Sequence, residues 1–442
     1  MQKKHLNNLI ELLSIPSVSA QAEHKEDMVK TCLWLKKKFD QLGFAAQIYP
    51  TKCHPVFFAQ NLSAGTAKPT VLIYGHYDVQ APDPLDEWVS EPFKPEVRKG
   101  NLYARGVADD KGQFYAWVAA IEEILEEQKG LPINIKFLIE GEEEIGSPTL
   151  DPFIKKYKKM LKADVCIISD SHALSESQPL VTYGLRGLVY TEVTLQTLSR
   201  DAHSGSYGGN VINPANCLAE IIGQLKDKNH KILIPGFYDN VRHLSKAERK
   251  ELAKFPFRTK QVKDEVGAFV VTGEKGFSVA ERNGARPTLD VNGIWGGYAG
   301  EGPKTIIPAK AGAKISMRIV PGQTDTEIFA KFSKYVKKNT PKGVKLTIKN
   351  LSSGNPILVD MTSSYQKAAA QALKKIFGKN PMYELAGGSI PVTCTFKEIL
   401  GIDSVMMGYG LPDDGLHSPN EKMSLTMFEK GIATSKEFLN TL

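Results

Sequence analysis

The stretch IKFLIEGEEEIGS, residues 135–147, opens as an apolar run and closes on Glu140, Glu142, Glu143 and Glu144 before Gly146. An apolar run of this length that stops at a glycine reads as a strand buried on both faces, the kind that sits inside a helix-covered sheet. The carboxylates at its end need an explanation. At about 4 Å two like charges repel by roughly 1 kcal/mol in water and about 4 kcal/mol at the effective dielectric of a protein surface. A cation therefore belongs beside them, at the carboxyl end of the strand, where open α/β sheets collect their ligands.

Working outward, TVLIYG (70–75) and ADVCIISD (163–170) read as further strands of the same sheet. Between them lie helical periods. In 26–44, Met28, Cys32, Leu35, Phe39 and Leu42 recur on one face and Gly43 supplies the stop. In 111–130 the core face is Phe114, Trp117, Val118, Ile121 and Leu125. Alternating helix and strand periods predict an α/β catalytic domain. Past residue 185 the texture changes to the alternating, more polar RGLVYTEVTLQ, followed by a helix near 214–226 and a long charged, irregular segment. GAKISMRIV, TDTEIFAKFSKYVKKN and VKLTIKN then predict strand, helix and strand. A helix over 363–377 and the apolar DSVMMGYG (403–410) return to the first domain. The expected organisation is a catalytic domain over 1–185 and 352–442, interrupted by a smaller α/β domain over 186–351.

The 442 residues are 42% hydrophobic and 24% charged, which is ordinary for a folded, water-soluble chain. The net charge of +7 is spread over helix surfaces such as LKKKF rather than gathered in a stripe, so nucleic acid is not an expected partner. Cys32, Cys53, Cys166, Cys217 and Cys394 are odd in number, far apart and free of any CxxC pair, which argues against a disulfide framework or a thiolate metal site. The chain shows no signal-peptide pattern or membrane-length apolar run, so a cytoplasmic location without membrane attachment is the expectation.

Ionisable residues recur where the strands end. VLIYGHYDVQ carries His76 and Asp78, RGVADDKGQ carries Asp109 and Asp110, FLIEGEEEIGS carries Glu143 and Glu144, CIISDSH carries Asp170, and LHSPNE carries His417. Taken singly each has a plainer reading: a packed histidine, a solvated glutamate loop, and for Asp110 a helix N-cap. His172, two residues from Asp170, reads as a bystander. Taken together they are an imidazole and carboxylate set without thiolate, which suits zinc, manganese or cobalt. If Asp109 bridges two metals, His76 and Asp170 complete one site while Glu144 and His417 complete the other. The four charges of Asp109, Asp170, Glu144 and Glu143 then balance two divalent cations.

NLIELLSIPSVS, GHYDVQ, RGVADDKGQ, EGEEEIGS, ISDS, TYGLRG, AHSGSYGG and LHSPNE, in this order, resemble the two-metal exopeptidases and amidohydrolases of clan MH, which include carboxypeptidase G, aminoacylase, succinyl-diaminopimelate desuccinylase and carnosinase. The resemblance spans essentially the whole chain. TYGLRG, GPKTIIPAKA, SMRIVPGQ and GGSIPVT most resemble the carnosinase-like branch of cytosolic nonspecific dipeptidases. It implies a mixed-sheet, zinc-exopeptidase-like catalytic domain, with the inserted domain serving as lid and homodimer contact. It implies His76 and Asp170 on one Zn2+ or Mn2+, Glu144 and His417 on the other, Asp109 between them, Asp78 orienting His76, and Glu143 as general base. It further implies that His203 reaches the neighbouring subunit's site, that Arg318 holds the substrate's terminal carboxylate, and that Thr305 and Ser389 touch substrate. The expected activity is hydrolysis of dipeptides by a metal-activated water. The alternatives are an N-acyl amino acid amidohydrolase with the same site and a non-catalytic metal or peptide binder. HSGSYGG lacks the elbow context of a serine hydrolase.

Overall fold

The computed structural model describes residues 2–128, 130–255, 259–388 and 390–442. The chain divides into two compact units: Met1–Tyr183 with Val359–Tyr383 and Thr395–Leu442, and Gly184–Leu358 with Glu384–Cys394. The second unit thus takes back a short stretch, Glu384–Cys394, that the hydropathy pattern does not mark off from 352–442.

The first unit is a mixed α/β sheet. Its strands lie in the order Ala45–Tyr49, Val56–Asn61, Asn134–Glu140, Thr70–His76, Val165–Ile168 and Ser404–Met406, followed by the start of Leu180–Leu185. Thr70–His76 is parallel to both neighbours and Ser404–Met406 is parallel to Val165–Ile168, while the flanking pairs are antiparallel. Asn134–Glu140 is buried at every position, Lys136 included, whose Nζ donates to the Met160 and Lys162 carbonyls at 2.7 Å each. The register sets His76 opposite Glu140 and Tyr74 opposite Ile168. Asp78, Glu143 and Asp170 therefore leave the sheet from one edge, although they are far apart in sequence.

Helices fix that edge. Lys25–Gln41 buries Met28, Cys32, Leu35 and Phe39, with Leu42 partly buried and Gly43 left-handed at φ +74° closing the helix. Phe39 meets Phe44, Phe57 and Phe137 at ring separations of 4.7 to 5.4 Å; each such ring contributes on the order of 1.5–3 kcal/mol by burial. Lys111–Glu127 buries Phe114, Trp117, Val118 and Ile121 as expected, but Ile124 rather than Leu125 completes the face. The helix packs against both Thr70–His76 and the Leu425–Thr441 helix, which covers more of it than a single stripe predicts. Gly75 makes its start possible: a Cβ there would lie 2.7 Å from Cβ of Phe114 and 2.8 Å from Oδ2 of Asp110.

The second unit is a four-stranded antiparallel sheet in the order Thr288–Gly296, Lys310–Ile319, Gly187–Gln196, Lys345–Gly354. Gly187–Gln196 alternates strictly between buried and half-buried residues, so one face is apolar. Pro214–Gly223 and Asp325–Asn339 supply Leu218, Ile221, Ile328 and Phe332 to the core on that face, beside Val189, Val193, Ile315 and Met317. Among its described residues the charged segment carries three short helices, Lys246–Leu252, Thr259–Val266 and Val279–Gly284. No helix among the described residues is long and apolar enough to cross a membrane. All five cysteines are free.

Candidate metal centre

The glutamates of the opening stretch sort by what they touch. Glu142 is buried and accepts from the Thr51 hydroxyl (3.0 Å), the His54 N–H (2.9 Å), and the N–H and hydroxyl of Thr149 (2.9 and 2.6 Å), so it ties loops together. Glu140 accepts from the Tyr74 and Ser147 hydroxyls (2.7 and 2.9 Å), and burial pushes its carboxyl up to about 8. Glu143 and Glu144 sit in the turn that follows, where Gly146 is left-handed at φ +86°. Their backbone N–H groups both donate to the Asp78 carboxylate, at 3.3 and 3.1 Å.

Two groups of side chains converge at the sheet edge: His76, Asp109 and Asp170, and Asp109, Glu144 and His417. Within each group the donor atoms all lie within 4.8 Å of one another. His76 Nε2 is 3.0 Å from Asp109 Oδ1 and 3.9 Å from Asp170 Oδ2. His417 Nε2 is 3.0 Å from Asp109 Oδ2 and 3.4 Å from Glu144 Oε2. Asp109 thus offers one oxygen to each histidine. His172 is exposed and in neither group.

The donor chemistry fits a pair of divalent cations. His76 Nδ1 lies 3.0 Å from the Asp78 carbonyl oxygen, which can only accept, so Nδ1 carries a hydrogen; Nε2 then presents a lone pair when the ring is neutral, and in the metal-free protein the Asp109 and Asp78 carboxylates favour a proton there against the effect of burial. That lone pair is buried and faces the Asp109 and Asp170 carboxylates, an arrangement that is repulsive unless a proton or a cation lies between them. Tetrahedral zinc with ligands near 2.0–2.1 Å spaces its donors by roughly 3.4 Å, the scale of these contacts. Of the Asp78 oxygens near His76 Nδ1, the carbonyl lies at 3.0 Å and the carboxylate Oδ1 farther away, at 3.4 Å.

The electrostatics agree. Burial first, then the charge of Asp109, raises Glu144 to about 8 and Asp170 to about 7, and burial raises Glu143 as well. The hydrogen bond with Asp109 raises His417 to about 9. Asp109 itself, which burial alone would raise, is held below the usual carboxylate range by His417 and His76. His417 occupies the left-handed region at φ +60°, a conformation that costs a non-glycine residue about 1 kcal/mol or more. Asp414 braces its loop by accepting from the Leu411 N–H (2.6 Å) and Lys422 Nζ (3.0 Å).

Asp110 holds the N-cap position of the Lys111–Glu127 helix but does not cap it with its side chain; its carboxylate accepts from the His76 N–H at 3.2 Å instead. Gln80, which sequence reasoning passed over, donates to Glu144 at 2.8 Å. Its only sequence signal is its place at the end of GHYDVQ.

Three of the substrate residues implied by the resemblance, His203, Thr305 and Arg318, lie in the second unit. His203 and Thr305 adjoin: the Ala202–His203 strand pairs with Ile306–Ile307, the Ser204 N–H donates to the Thr305 carbonyl at 3.0 Å, and both residues are exposed. Arg318 is half-buried on the Lys310–Ile319 strand, near Arg186, and burial lowers its pKa. Ser389 lies outside the described residues.

Residues 72–441 match the description of peptidase family M20/M25/M40. A Cys-Gly metallodipeptidase, dug1 of Schizosaccharomyces pombe, is 34% identical over 97% of this chain and 93% of its own length. The M20 family metallo-carboxypeptidase Sso-CP2 of Sulfolobus solfataricus superposes with a TM-score of 0.87 at 35% identity, covering 100% of this chain and 99% of that one. Human carnosine dipeptidase 1 superposes with a TM-score of 0.81 at 29% identity, covering 100% and 96%.

Proposed function

Because the chain belongs to peptidase family M20/M25/M40, we propose that it is a metal-dependent dipeptidase whose reaction runs at the edge where His76, Asp109, Glu144, Asp170 and His417 converge. The observation that carries the reading is the sharing of Asp109 between the two donor groups. His76 and Asp170 would hold one divalent cation, Glu144 and His417 the other, with Asp109 between them; Zn2+ and Mn2+ both accept this donor set. Such cations supply Lewis acidity, lowering the proton affinity of a water and polarising the scissile carbonyl. Glu143 takes the proton from the attacking water and returns it to the leaving amine. Its burial suits this task, because a base with raised proton affinity works nearer neutral pH.

Arg318 would pair with the terminal carboxylate of the substrate through its planar fork, with Thr305 and Ser389 as further contacts. His203 would stabilise the oxyanion in the neighbouring subunit's site, making the second unit the contact of a cytoplasmic homodimer. His203→Ala is then expected to lower turnover by about 10²–10³-fold, the usual cost of one oxyanion donor, without loss of metal. Co-expression with Glu143→Gln should restore partial activity in mixed dimers, and absence of recovery would confine each site to one chain.

The pH dependence follows from the raised groups. Near pH 6 Glu144, Asp170 and His417 hold protons that an incoming cation must displace; above about pH 9 they do not, so metal affinity rises across this range. The linkage to the stability of the metal-free protein runs the opposite way. Raised carboxyls bind protons more tightly folded than unfolded, so their contribution is lost as pH climbs from the ordinary carboxylate range to about 8, and that of His417 is lost through about 9. The rise in Tm on adding metal should therefore be larger at pH 9 than at pH 6; equal rises would contradict the assignment.

Similarity to Sso-CP2 favours one second reading, a carboxypeptidase that trims longer peptides. The N-acyl amidohydrolase alternative is not favoured, since these relatives are named as peptidases. Chromatography of products from dipeptides, longer peptides and N-acyl amino acids separates the three. Release confined to dipeptides is the expected result; cleavage of longer peptides supports the carboxypeptidase, and turnover of N-acyl compounds alone overturns the peptidase reading.

A further inference from the structure

His417 and Asp109 are 308 residues apart in sequence, yet their nitrogen and oxygen meet at 3.0 Å. One buried carboxylate spans the gap. Glu421, four residues after His417 and 1% exposed, accepts through Oε2 from Arg105 Nη1 (2.8 Å) and the Gly106 N–H (3.0 Å). Through Oε1 it accepts from the N–H groups of Ala108 (2.9 Å) and of Asp109 itself (3.2 Å). Arg105, equally buried, also donates to the Ala81 carbonyl at 3.3 Å, which draws in the segment that begins at His76. The path of this loop depends on Gly106, left-handed at φ +85°, where a Cβ would fall 2.4 Å from Val79 Cγ1.

We propose that Glu421 is a positioning residue for the metal centre. Together with Arg105 it locks the three loops that carry His76, Asp109 and His417 into one geometry, and so sets cation affinity without touching a cation. A carboxylate is needed because all four of its partners are donors, and each of its oxygens must accept twice. An amide at this position would turn its NH2 towards two of those donors. Charge balance alone does not account for the placement, since Arg105 could be neutralised without a carboxylate also gathering three backbone N–H groups from the loop that ends at Asp109.

The inference rests on the two-cation reading, and its test separates the two. Wild type, Glu421→Gln, Glu421→Asp and Glu122→Gln are stripped of metal and titrated with Co2+ against a chelator, with the visible absorption recorded. Glu122→Gln breaks the Lys38 pair on the helix layer (2.7 Å) and controls for lost stability alone. The expected result is affinity weakened about 10–100-fold in Glu421→Gln, as for other partners that orient metal ligands, with a changed Co2+ spectrum and with Glu122→Gln unaffected. Glu421→Asp, which keeps the charge on a shorter stem, should fall between them and serves if the glutamine variant does not fold. Wild-type affinity and spectrum in both Glu421 variants would overturn the positioning role. Failure of the wild type itself to bind Co2+ would overturn the two-cation reading instead.

Discussion

Glu143→Gln is expected to retain fold and bound metal and to lose about 10²–10⁴-fold in kcat, the usual worth of a positioned acid–base group. The substitution keeps the size of the side chain and removes only its capacity to take a proton. Glu143 is not among the residues whose donor atoms converge into either group, so metal content should not change. Its backbone N–H, which anchors the turn on the Asp78 carboxylate at 3.3 Å, is untouched. KM should move little, because the loss falls on proton transfer rather than on binding. Substantial residual turnover in a metal-replete variant would remove Glu143 from the base role.

Asp109→Asn should have the opposite signature. Each Asp109 oxygen faces a different histidine at 3.0 Å, so the change removes charge from both donor groups at once. Ligand loss should exceed the roughly 10–100-fold penalty typical of the residues behind ligands. Binding of both cations is therefore expected to weaken by more than about 100-fold, with activity undetectable at ordinary metal concentrations. The histidines should respond as well. Hydrogen bonds to Asp109 raise His417, and hydrogen bonds to Asp109 and Asp78 raise His76 against the effect of burial. Without Asp109, both should release their protons at lower pH, which NMR titration of the metal-free protein would follow. Unchanged binding of two cations would exclude Asp109 as their common ligand.

Much of the fold, and the convergence of His76, Asp109, Glu144, Asp170 and His417, is legible in the sequence because both depend on local pattern. The buried run to Glu140, the helical period of Met28 to Phe39 and the strict alternation after Gly187 each report one element and the face it buries. Functional groups at strand ends follow, since the parallel register of Thr70–His76 with its neighbours aligns those ends. What remains hidden is long-range pairing. The assignment of Glu144 over Glu142 rests on counting back from Gly146 and Ser147 in the family motif; the physical difference, Glu142 turned towards Thr51, His54 and Thr149 and Glu144 towards His417, lies in distant partners. Asp110 reads as a helix cap because the competing donor, the His76 N–H, is 34 positions away. Glu421 and Gln80 act only through partners that the fold brings to them. Glu384–Cys394 joins the second unit through contacts such as the Arg186 side chain donating to the Gly387 carbonyl at 3.0 Å, which no periodicity encodes.

The most direct test is to titrate metal-stripped protein with Zn2+ or Mn2+ while following amino-acid release from a dipeptide. No release without metal and a rise that saturates at two equivalents per chain is the predicted result. Full turnover by the stripped protein, or saturation of both sites with no dipeptide cleaved, would contradict it.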